Sequence, residues 1–183
     1  MLISKFSTNN PIKEEDIIFL ERKYSISLSE DYKNFLLLYN GGYTPKTKFR
    51  INKVSSDIRG FFGIGDVPLS LENTKINEWV EKNLFPIASD SFGNYIVINN
   101  KGEIFFSDHE KNFKTTFLAD NIKKFFMKCK SEIISENSKK SIQEREQELI
   151  AAGRADIISD GLRKIWQAEI DKYSKMVQEE IIL

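Results

Sequence analysis

Three consecutive polar residues, Asp108-His109-Glu110, form the part of the sequence best suited to chemistry. Carboxylates and an imidazole can bind a metal ion or exchange protons with a substrate. Neighbouring side chains of a strand point to opposite faces, so these three converge on one ion only where the strand ends. We therefore expect a polar surface or turn cluster here, with a metal site or an acid–base site as the alternative.

A second polar segment runs from Asp90 to Asn94, between two apolar segments, and contains Gly93. Asp and Asn side chains hydrogen-bond readily to nearby backbone, and glycine permits a tight turn. This chemistry favours a turn that leads into a strand, with a ligand-binding loop as the alternative. Because both polar segments flank neighbouring predicted strands, we expect them near opposite ends of one hairpin.

The glycine-spaced segment Gly60-Phe61-Phe62-Gly63-Ile64-Gly65 resembles a phosphate-binding loop only in its glycine content. Such a loop must open a helix directly after a strand, and the following Asp66-Val67-Pro68 is a poor helix start. We expect instead a strand with glycines at a bend or at a close approach of backbone.

Composition narrows the function classes further. The 183 residues include 27 basic and 27 acidic side chains, one His and one Cys. A single cysteine excludes an internal disulfide framework and a multi-cysteine zinc site, and a single histidine excludes chemistry that needs two imidazoles. Cys129 is expected on a buried helix face, without the partners a nucleophile needs. We expect no catalytic residue, no cofactor and no required metal.

The charge and hydropathy of the chain also limit its partners. A formal net charge of zero argues against a protein that grips nucleic acid by bulk positive charge. No segment approaches the roughly 20 apolar residues that span a bilayer, so no membrane partner is expected. The first residues lack the apolar core of a secretory signal, which makes a cytoplasmic location the expectation.

Helix signals open the chain. Asn10 and Pro11 suit the start of a helix whose apolar face continues through Ile17 to Tyr24. A second helix is predicted to start near Ser27 or Ser29, where Ser27 and Glu30 match a capping box. An apolar stripe follows along this helix, and Gly41-Gly42 ends it.

The middle of the chain predicts strands separated by turns. Apolar residues alternate with polar ones around Phe49, and strand formers are dense in 58–64, 94–99, 103–107 and 115–118. A helix is expected at about 72–83, and a closing helix from Asp120 is expected to carry Cys129 and Ile133. Because the strands neighbour one another, the fold class is α+β, with an antiparallel sheet of about four to six strands.

Composition changes near residue 130, which predicts a domain over 1–130 and a helical extension over 131–183. The first part holds 20 of the 22 aromatic residues and a net charge of +3, and the second part a net charge of −3. From Leu162 to Ile181 the extension shows one apolar stripe at helical spacing. This stripe must pack on the domain or on a partner chain, so a homodimer through the C-terminal helices is one expectation.

Together, the ordered motifs of residues 10–130 resemble the SUKH superfamily, named after a yeast regulator of cell-wall glucan synthesis. The motifs that carry the resemblance are an Ile- and Glu-bearing helix (17–24), Leu28-x-x-Asp31-Tyr32-x-x-Phe35-Leu36, Asn40-Gly41-Gly42, Gly60 to Gly65, Phe85-Pro86-Ile87-Ala88, Gly93-Asn94, the segment from Gly102 to Glu110, and Phe125-Phe126. The usual Leu-Pro before the second helix is Leu28-Ser29 here. The extension beyond 130 lies outside the resemblance.

The resemblance implies a non-catalytic binding module. Bacterial members are similar to immunity proteins that block a cognate polymorphic toxin, and the alternative is a regulatory or scaffold adaptor of the cell-wall regulator type. The expected partner is a protein toxin. The residues expected to bind it are Asp90, Asn94, Asp108, His109, Glu110 and Trp79. Asp90, Asp108 and Glu110 suggest an acidic patch, which would suit a basic toxin.

Overall fold

The computed structural model describes residues 1–6 and 11–183, which form two compact units. The first unit joins residues 1–132 to the C-terminal residues 178–183, and residues 133–177 form the second unit. The helices and strands, numbered in chain order, are β1 (Leu2–Ile3), α1 (Glu14–Tyr24), α2 (Glu30–Tyr39), β2 (Gly42–Ile51), β3 (Val54–Phe61), α3 (Ile76–Val80), β4 (Leu84–Ser89), β5 (Tyr95–Asn99), β6 (Ile104–Asp108), β7 (Lys114–Ala119), α4 (Ile122–Lys128), β8 (Cys129–Ser131), α5 (Ile142–Ala151), α6 (Asp160–Tyr173) and β9 (Glu179–Glu180). None of the described helices is long and apolar enough to cross a bilayer.

Seven strands of the first unit form one antiparallel sheet in the order β7-β6-β5-β4-β3-β2-β8. Strands β2 to β7 are adjacent in the sheet as they are in the chain, and β8 enters beside β2 after α4. The predicted α+β class is therefore confirmed. The sheet has more strands than expected, because β8 is too short to show an alternating pattern and β4 contains a proline.

Helices α2 and α4 cover one face of this sheet with aromatic side chains. Phe35 of α2 lies 5.0 Å from Phe61 and 5.7 Å from Phe126, between ring centroids. Phe49 of β2 lies 5.6 Å from Phe125 of α4. All five side chains are at most 7% exposed, so their burial contributes strongly to the stability of the first unit.

The sheet curls so that hairpin β2–β3 and hairpin β6–β7 approach each other. Asn52, in the turn between β2 and β3, donates a hydrogen bond of 2.9 Å from its side-chain amide to the Phe117 carbonyl oxygen of β7. Lys128, at the end of α4, donates to the Leu118 carbonyl oxygen at 3.0 Å. These contacts hold the β2–β3 turn and α4 against β7, and a cleft forms between hairpins β2–β3 and β6–β7.

Two motif segments join α2 to the sheet. Asn40 ends α2 in the left-handed conformation, and its side chain exchanges hydrogen bonds of 2.8 and 3.1 Å with the backbone of Ile64. A Cβ atom on Gly63 would lie 2.2 Å from the Asn40 carbonyl oxygen, and one on Gly41 would lie 2.7 Å from the Phe61 carbonyl oxygen. The predicted close approach of backbone is therefore confirmed, and it accounts for glycine at both positions.

Helix α1 begins at Glu14, three residues after the start predicted at Pro11. The predicted cap, Asn10, lies outside the described residues. The carboxylate of Asp16 accepts a hydrogen bond of 2.8 Å from the Lys13 backbone N–H and satisfies a donor at the start of the helix.

Helix α2 begins at Glu30 with Ser29 at its N-cap, one of the two predicted starts, although the Ser29 side chain makes no capping bond. The capping box predicted for Ser27 and Glu30 is wrong, because the helix starts too late for Ser27 to cap it. The carboxylate of Glu21 instead accepts a hydrogen bond of 2.8 Å from the Leu28 N–H. A contact from α1 therefore positions the start of α2.

Two other predicted helices are shorter than expected. The segment predicted at 72–83 consists of a 3-10 turn, Leu71–Asn73, followed by the five-residue α3. Helix α4 ends at Lys128, so Cys129 begins β8 rather than continuing the helix, and Ile133 lies beyond the strand with 77% of its surface exposed. The placement of Cys129 and Ile133 on the closing helix was therefore wrong.

The second unit contains α5 and α6, linked by ion pairs. Arg145 of α5 lies 2.9 Å from the Glu169 carboxylate of α6, and Arg163 of α6 lies 2.6 Å from the Glu146 carboxylate of α5. The Arg145 guanidinium also stands over the Trp166 ring, 5.8 Å from its centroid. Charged side chains thus form much of the described contact between these helices.

The single helical stripe predicted from Leu162 to Ile181 is wrong beyond Tyr173, where α6 ends. Strand β9 pairs with β1, and Ile181 donates a backbone hydrogen bond of 3.0 Å to the Met1 carbonyl oxygen. Ile181 is therefore part of the first unit. Periodicity missed this because the three-to-four spacing continues by chance across the helix end.

Because residues 178–183 belong to the first unit, the charges of the two structural units differ from those of the two sequence segments divided at residue 130. Residues 133–177 carry eight basic and eight acidic side chains, so the second unit has a net charge of zero. The first unit is therefore neutral as well. The split into +3 and −3 at residue 130 separates sequence segments, whereas the structural units are each balanced.

Candidate partner-binding cleft

An open cleft of about 810 Å³ lies between hairpins β2–β3 and β6–β7. Its lining residues are Asn52, Lys53, Val54, Ser55, Ser56, Phe92, Asn94, Phe106, Asp108, His109, Glu110, Lys111, Lys114 and Thr116. Four of the six residues predicted from the sequence therefore lie together in this lining. The two others, Asp90 and Trp79, lie outside the lining and support it from two directions.

Asp90 is a buried carboxylate that organises the β4–β5 turn. One of its oxygens accepts hydrogen bonds from the backbone N–H groups of Phe92, at 2.9 Å, and Asn94, at 2.7 Å. The other accepts from the Ser56 hydroxyl and the Asn94 side-chain amide, both at 2.7 Å. With 3% of its surface exposed, Asp90 is satisfied internally and holds the turn against β3.

Asn94 connects the Asp90 carboxylate to His109 by hydrogen bonds. Because the Asn94 amide nitrogen donates to the Asp90 carboxylate, its side-chain oxygen must face His109. That oxygen accepts from the His109 backbone N–H at 3.0 Å and lies 2.8 Å from Nδ1 of the ring. The oxygen can only accept, so Nδ1 carries the proton. Nε2 is then the ring nitrogen left for a partner.

The two polar segments therefore lie at the same end of the β5–β6 hairpin, and the expectation of opposite ends was wrong. In an antiparallel hairpin the start of the first strand lies opposite the end of the second strand. Tyr95, which opens β5, pairs with Ser107 near the end of β6. The Asp90 turn precedes β5 at this end of the hairpin, and the His109 turn follows β6 at the same end.

Asp108 caps the short 3-10 turn that carries the other polar residues of the lining. Its carboxylate accepts from the Glu110 backbone N–H at 3.0 Å and pairs with the Lys111 ammonium at 2.6 Å. The hydrogen bond from Lys111 lowers the pKa of Asp108, and the same contact raises the pKa of Lys111. His109 and Glu110 are exposed, so this turn presents them to solvent.

Trp79 of α3 is 4% exposed and packs behind this turn. Its ring lies 5.3 Å from Tyr95 and 5.4 Å from Phe113, and the Lys82 ammonium stands 5.4 Å from the Trp79 centroid. Phe113 lies two residues after the turn and has a left-handed backbone conformation, with φ at 58°. Packing by Trp79 and Tyr95 helps to hold Phe113 in this strained conformation.

Phe92 is the residue of the cleft that sequence reasoning missed. Its ring is 67% exposed at the tip of the β4–β5 turn, while its backbone N–H is bonded to buried Asp90. An exposed aromatic ring on a fixed backbone is typical of the residues that dominate protein interfaces. The available signal was an apolar residue inside an otherwise polar turn.

The charge of the lining is mixed rather than acidic. Three lysines, Lys53, Lys111 and Lys114, stand against the carboxylates of Asp108 and Glu110. Asp108 is paired with Lys111, and both oxygens of the buried Asp90 carboxylate accept internal hydrogen bonds. Of the three carboxylates expected to form an acidic patch, Glu110 is the one whose residue is exposed at this cleft.

The described residues of the cleft offer a binding surface and few reactive groups. Within residues 1–6 and 11–183, no group of three His, Cys, Asp or Glu side chains is arranged to hold a metal ion. The Cys129 thiol lies outside the cleft lining, and burial raises its pKa to about 12, so it stays protonated at neutral pH. Among the described residues, no thiol or hydroxyl is hydrogen-bonded to the His109 ring, so no nucleophile is paired with it.

A sequence model of the SMI1 / KNR4 family (SUKH-1) matches residues 11–128. The chain belongs to this family. The SUKH-1 match runs from the residues before α1 to the end of α4 and contains the entire cleft lining. The family includes toxin-immunity proteins.

One curated relative is the SPbeta prophage-derived uncharacterized protein YokK of Bacillus subtilis (strain 168). It is 29% identical to this chain over 140 residues, which cover 63% of the chain and 70% of YokK. No solved structure matches the chain. In the SUKH-1 domain described here, the motifs Asn40-Gly41-Gly42 and Gly60 to Gly65 contact each other and build the fold, while Gly93-Asn94 and Asp108-His109-Glu110 shape the cleft.

Proposed function

We propose that this protein is a non-catalytic immunity protein that binds a cognate polymorphic toxin and neutralises it stoichiometrically. Membership of a family that includes toxin-immunity proteins supports this proposal. The observation that carries it is the cleft, where a buried hydrogen-bond network fixes two turns and presents exposed side chains at their tips. Rigid backbone lowers the entropy lost on binding, which favours tight association.

The proposed contact residues are those on the exposed side of the network. Phe92 supplies an aromatic anchor, and His109 and Glu110 supply polar contacts around it, with Asp108 beside them at the start of the turn. Asp90, Asn94 and Trp79 act as positioning residues, because they are at most 9% exposed and hold the two turns. Blocking then results from steric occupation of the toxin surface, and the partner is a protein.

The test is protection of cells that express a polymorphic toxin, with any toxin gene found adjacent to this gene as the candidate. We expect Phe92→Ala to lower the affinity for the toxin at least about tenfold and to weaken protection, because interface aromatics are common hot spots. The matched control is Met127→Ala, which removes a side chain that is 86% exposed and outside the cleft lining. Equal loss in both variants, or no loss in either, would contradict the cleft as the binding site.

Stoichiometry tests the non-catalytic part of the proposal. Titration of toxin activity with this protein should reach full inhibition at equimolar amounts, and a stable complex should elute from size exclusion. Inactivation of excess toxin by much less protein would show turnover instead. The variant His109→Ala then tests whether His109 is responsible for such turnover. Full protection by this variant would exclude catalysis by His109.

A further inference from the structure

The outer face of strands β8, β2 and β3 carries a cluster of four cationic side chains. Alternate residues of a strand point to opposite faces, and Phe49 of β2 packs towards the helices. Lys48 and Arg50 therefore point to the other face of the sheet. Lys130 of β8 and Arg59 of β3 point to this face as well, and all four side chains are exposed. We refer to these four residues as the basic face.

Strand register brings these charges close together. Lys48 stands directly opposite Lys130 on one side and opposite Asp57 on the other. Directly opposite residues of antiparallel strands have Cβ atoms about 5 Å apart. Arg50 lies two residues along β2 from Lys48, and Arg59 lies two residues along β3 from Asp57. The basic face is therefore one continuous patch.

The patch keeps an excess of positive charge, with four cationic side chains and one internal carboxylate, Asp57. Among the ion pairs of the described residues, none involves Lys48, Arg50, Arg59 or Lys130. Asp57 is the one carboxylate among the outward residues of β2, β3 and β8, and it accepts a hydrogen bond of 2.9 Å from the Ser91 backbone N–H.

The placement of like charges works against stability. Two lysines directly opposite each other on paired strands repel and weaken the pairing. The first unit as a whole has zero net charge, so an excess of basic residues does not explain the cluster. Departures from a locally stabilising arrangement are expected where a surface serves binding.

We propose that the basic face binds an acidic surface of a partner protein. Charge complementarity identifies the partner chemistry as clustered carboxylates, which pair with lysine and arginine. A protein fits better than a nucleic acid, because the outward residues of these strands between the cations are Ser55 and Asp57. They offer no aromatic ring for base stacking, which is a main contact of single-stranded nucleic acids with proteins. None of the four basic residues lines the cleft, so the inference does not rest on the proposed toxin site.

The probe is a fluorescein-labelled oligoglutamate peptide, with oligothymidylate of equal charge as the nucleic-acid comparison. We expect the full-length protein to bind oligoglutamate more tightly than oligothymidylate, with affinity that falls as salt concentration rises. The double reversal Lys48→Glu with Lys130→Glu should weaken peptide binding at least about tenfold. The control reversal, Lys101→Glu with Lys164→Glu, makes the same change in net charge at exposed lysines elsewhere and should leave binding nearly unchanged.

A second variant separates binding from folding. Lys130→Glu alone places opposite charges across the strand pair, so its melting temperature should stay equal or rise while its peptide affinity falls. Phe92→Ala should keep peptide binding intact even where it abolishes toxin binding, which separates this proposal from the cleft. Tighter binding of oligothymidylate, equal losses in both reversals, or self-association abolished only by the basic-face reversal would overturn the proposal.

Discussion

At the scale of single residues, two tyrosines of α2 have hydroxyl groups in opposite situations. The Tyr39 hydroxyl accepts a hydrogen bond of 2.9 Å from the Ile182 N–H. The Tyr32 hydroxyl is buried without a hydrogen-bond partner in the described part of the structure, and burial raises its pKa. A buried polar group without a partner loses its hydration and gains nothing in return.

We therefore expect Tyr32→Phe to leave the free energy of unfolding unchanged or to raise it by up to about 1 kcal/mol. The matched variant Tyr39→Phe should lower it by about 1 kcal/mol, because it leaves a backbone N–H unpaired. Urea denaturation of both variants measures the difference. A loss of stability in Tyr32→Phe equal to that in Tyr39→Phe would show that the Tyr32 hydroxyl has a partner, such as a buried water.

The polar residues of the cleft show which hydrogen bonds the sequence alone can predict. The turn at Asp90 to Asn94 was predicted because its hydrogen bonds are local, and Asp90 does bond the N–H groups of Phe92 and Asn94. The bond that Asp90 accepts from Ser56 and the bond that Asn94 accepts from His109 join residues 34 and 15 positions apart. Only the packing of strands creates such pairs, so sequence could not predict them.

At the scale of elements, Gly63 and Gly65 of one segment require glycine for two different reasons. A Cβ atom on Gly63 would clash with the Asn40 carbonyl oxygen, whereas Gly65 has open space around it and a left-handed φ of 83°. The first constraint is steric and comes from the contact between α2 and the sheet. The second is local to the backbone.

We expect Gly63→Ala to destabilise the protein by about 3 kcal/mol or more, because the clash forces α2 away from the sheet. Gly65→Ala should cost about 1 kcal/mol, from backbone strain alone. Thermal or urea unfolding of the two variants checks the order. Equal effects would mean that the close approach of Gly63 to Asn40 relaxes easily.

The elements themselves were predicted to different degrees. Strands β5 and β6 and helix α2 were found within a residue or two, because each combines clear periodicity with clear end signals. Strands β1, β8 and β9 have two or three residues and carry no periodic signal, so they exist only through their pairing partners. Helix α4 ends where Cys129 pairs with Phe49, and no local sequence pattern predicts this pairing.

At the scale of the whole molecule, the last residues of the chain complete the first unit. Strand β9 pairs with β1, and Ile181 and Leu183 pack against the core. The ends of the segment between the two parts of this unit lie close together, because the Gln178 side-chain amide donates to the Glu132 carbonyl oxygen at 3.1 Å. A short linker can therefore replace residues 133–177.

We expect a variant with a short Gly/Ser linker in place of residues 133–177 to keep the fold and stability of the first unit. A chain cut after Glu132 should be less stable by about 2 kcal/mol, since it lacks β9 and the apolar contacts of Ile181 and Leu183. Circular dichroism and urea denaturation compare the two. Equal stability of both chains would show that the C-terminal residues add nothing to the first unit.

The predicted boundary at residue 130 and the predicted homodimer stay predictions. Limited proteolysis tests the boundary, with cleavage expected in the segment that follows β8. Light scattering over a range of concentrations tests self-association. Exposed apolar side chains of the second unit, including Ile150 and Ile165, are the positions where charged substitutions should abolish a dimer.

The sequence by itself determined the fold class, the order of the larger elements, the family resemblance and the identity of the polar turn segments. These properties depend on local periodicity, on turn chemistry and on motifs that follow one another in the chain. Only the tertiary structure decided that Asp90, Asn94 and His109 form one network, that Phe92 projects beside it, and that the last residues return to the first unit. Antiparallel pairing and the curl of the sheet bring these distant residues together, and neither leaves a signal at any single position.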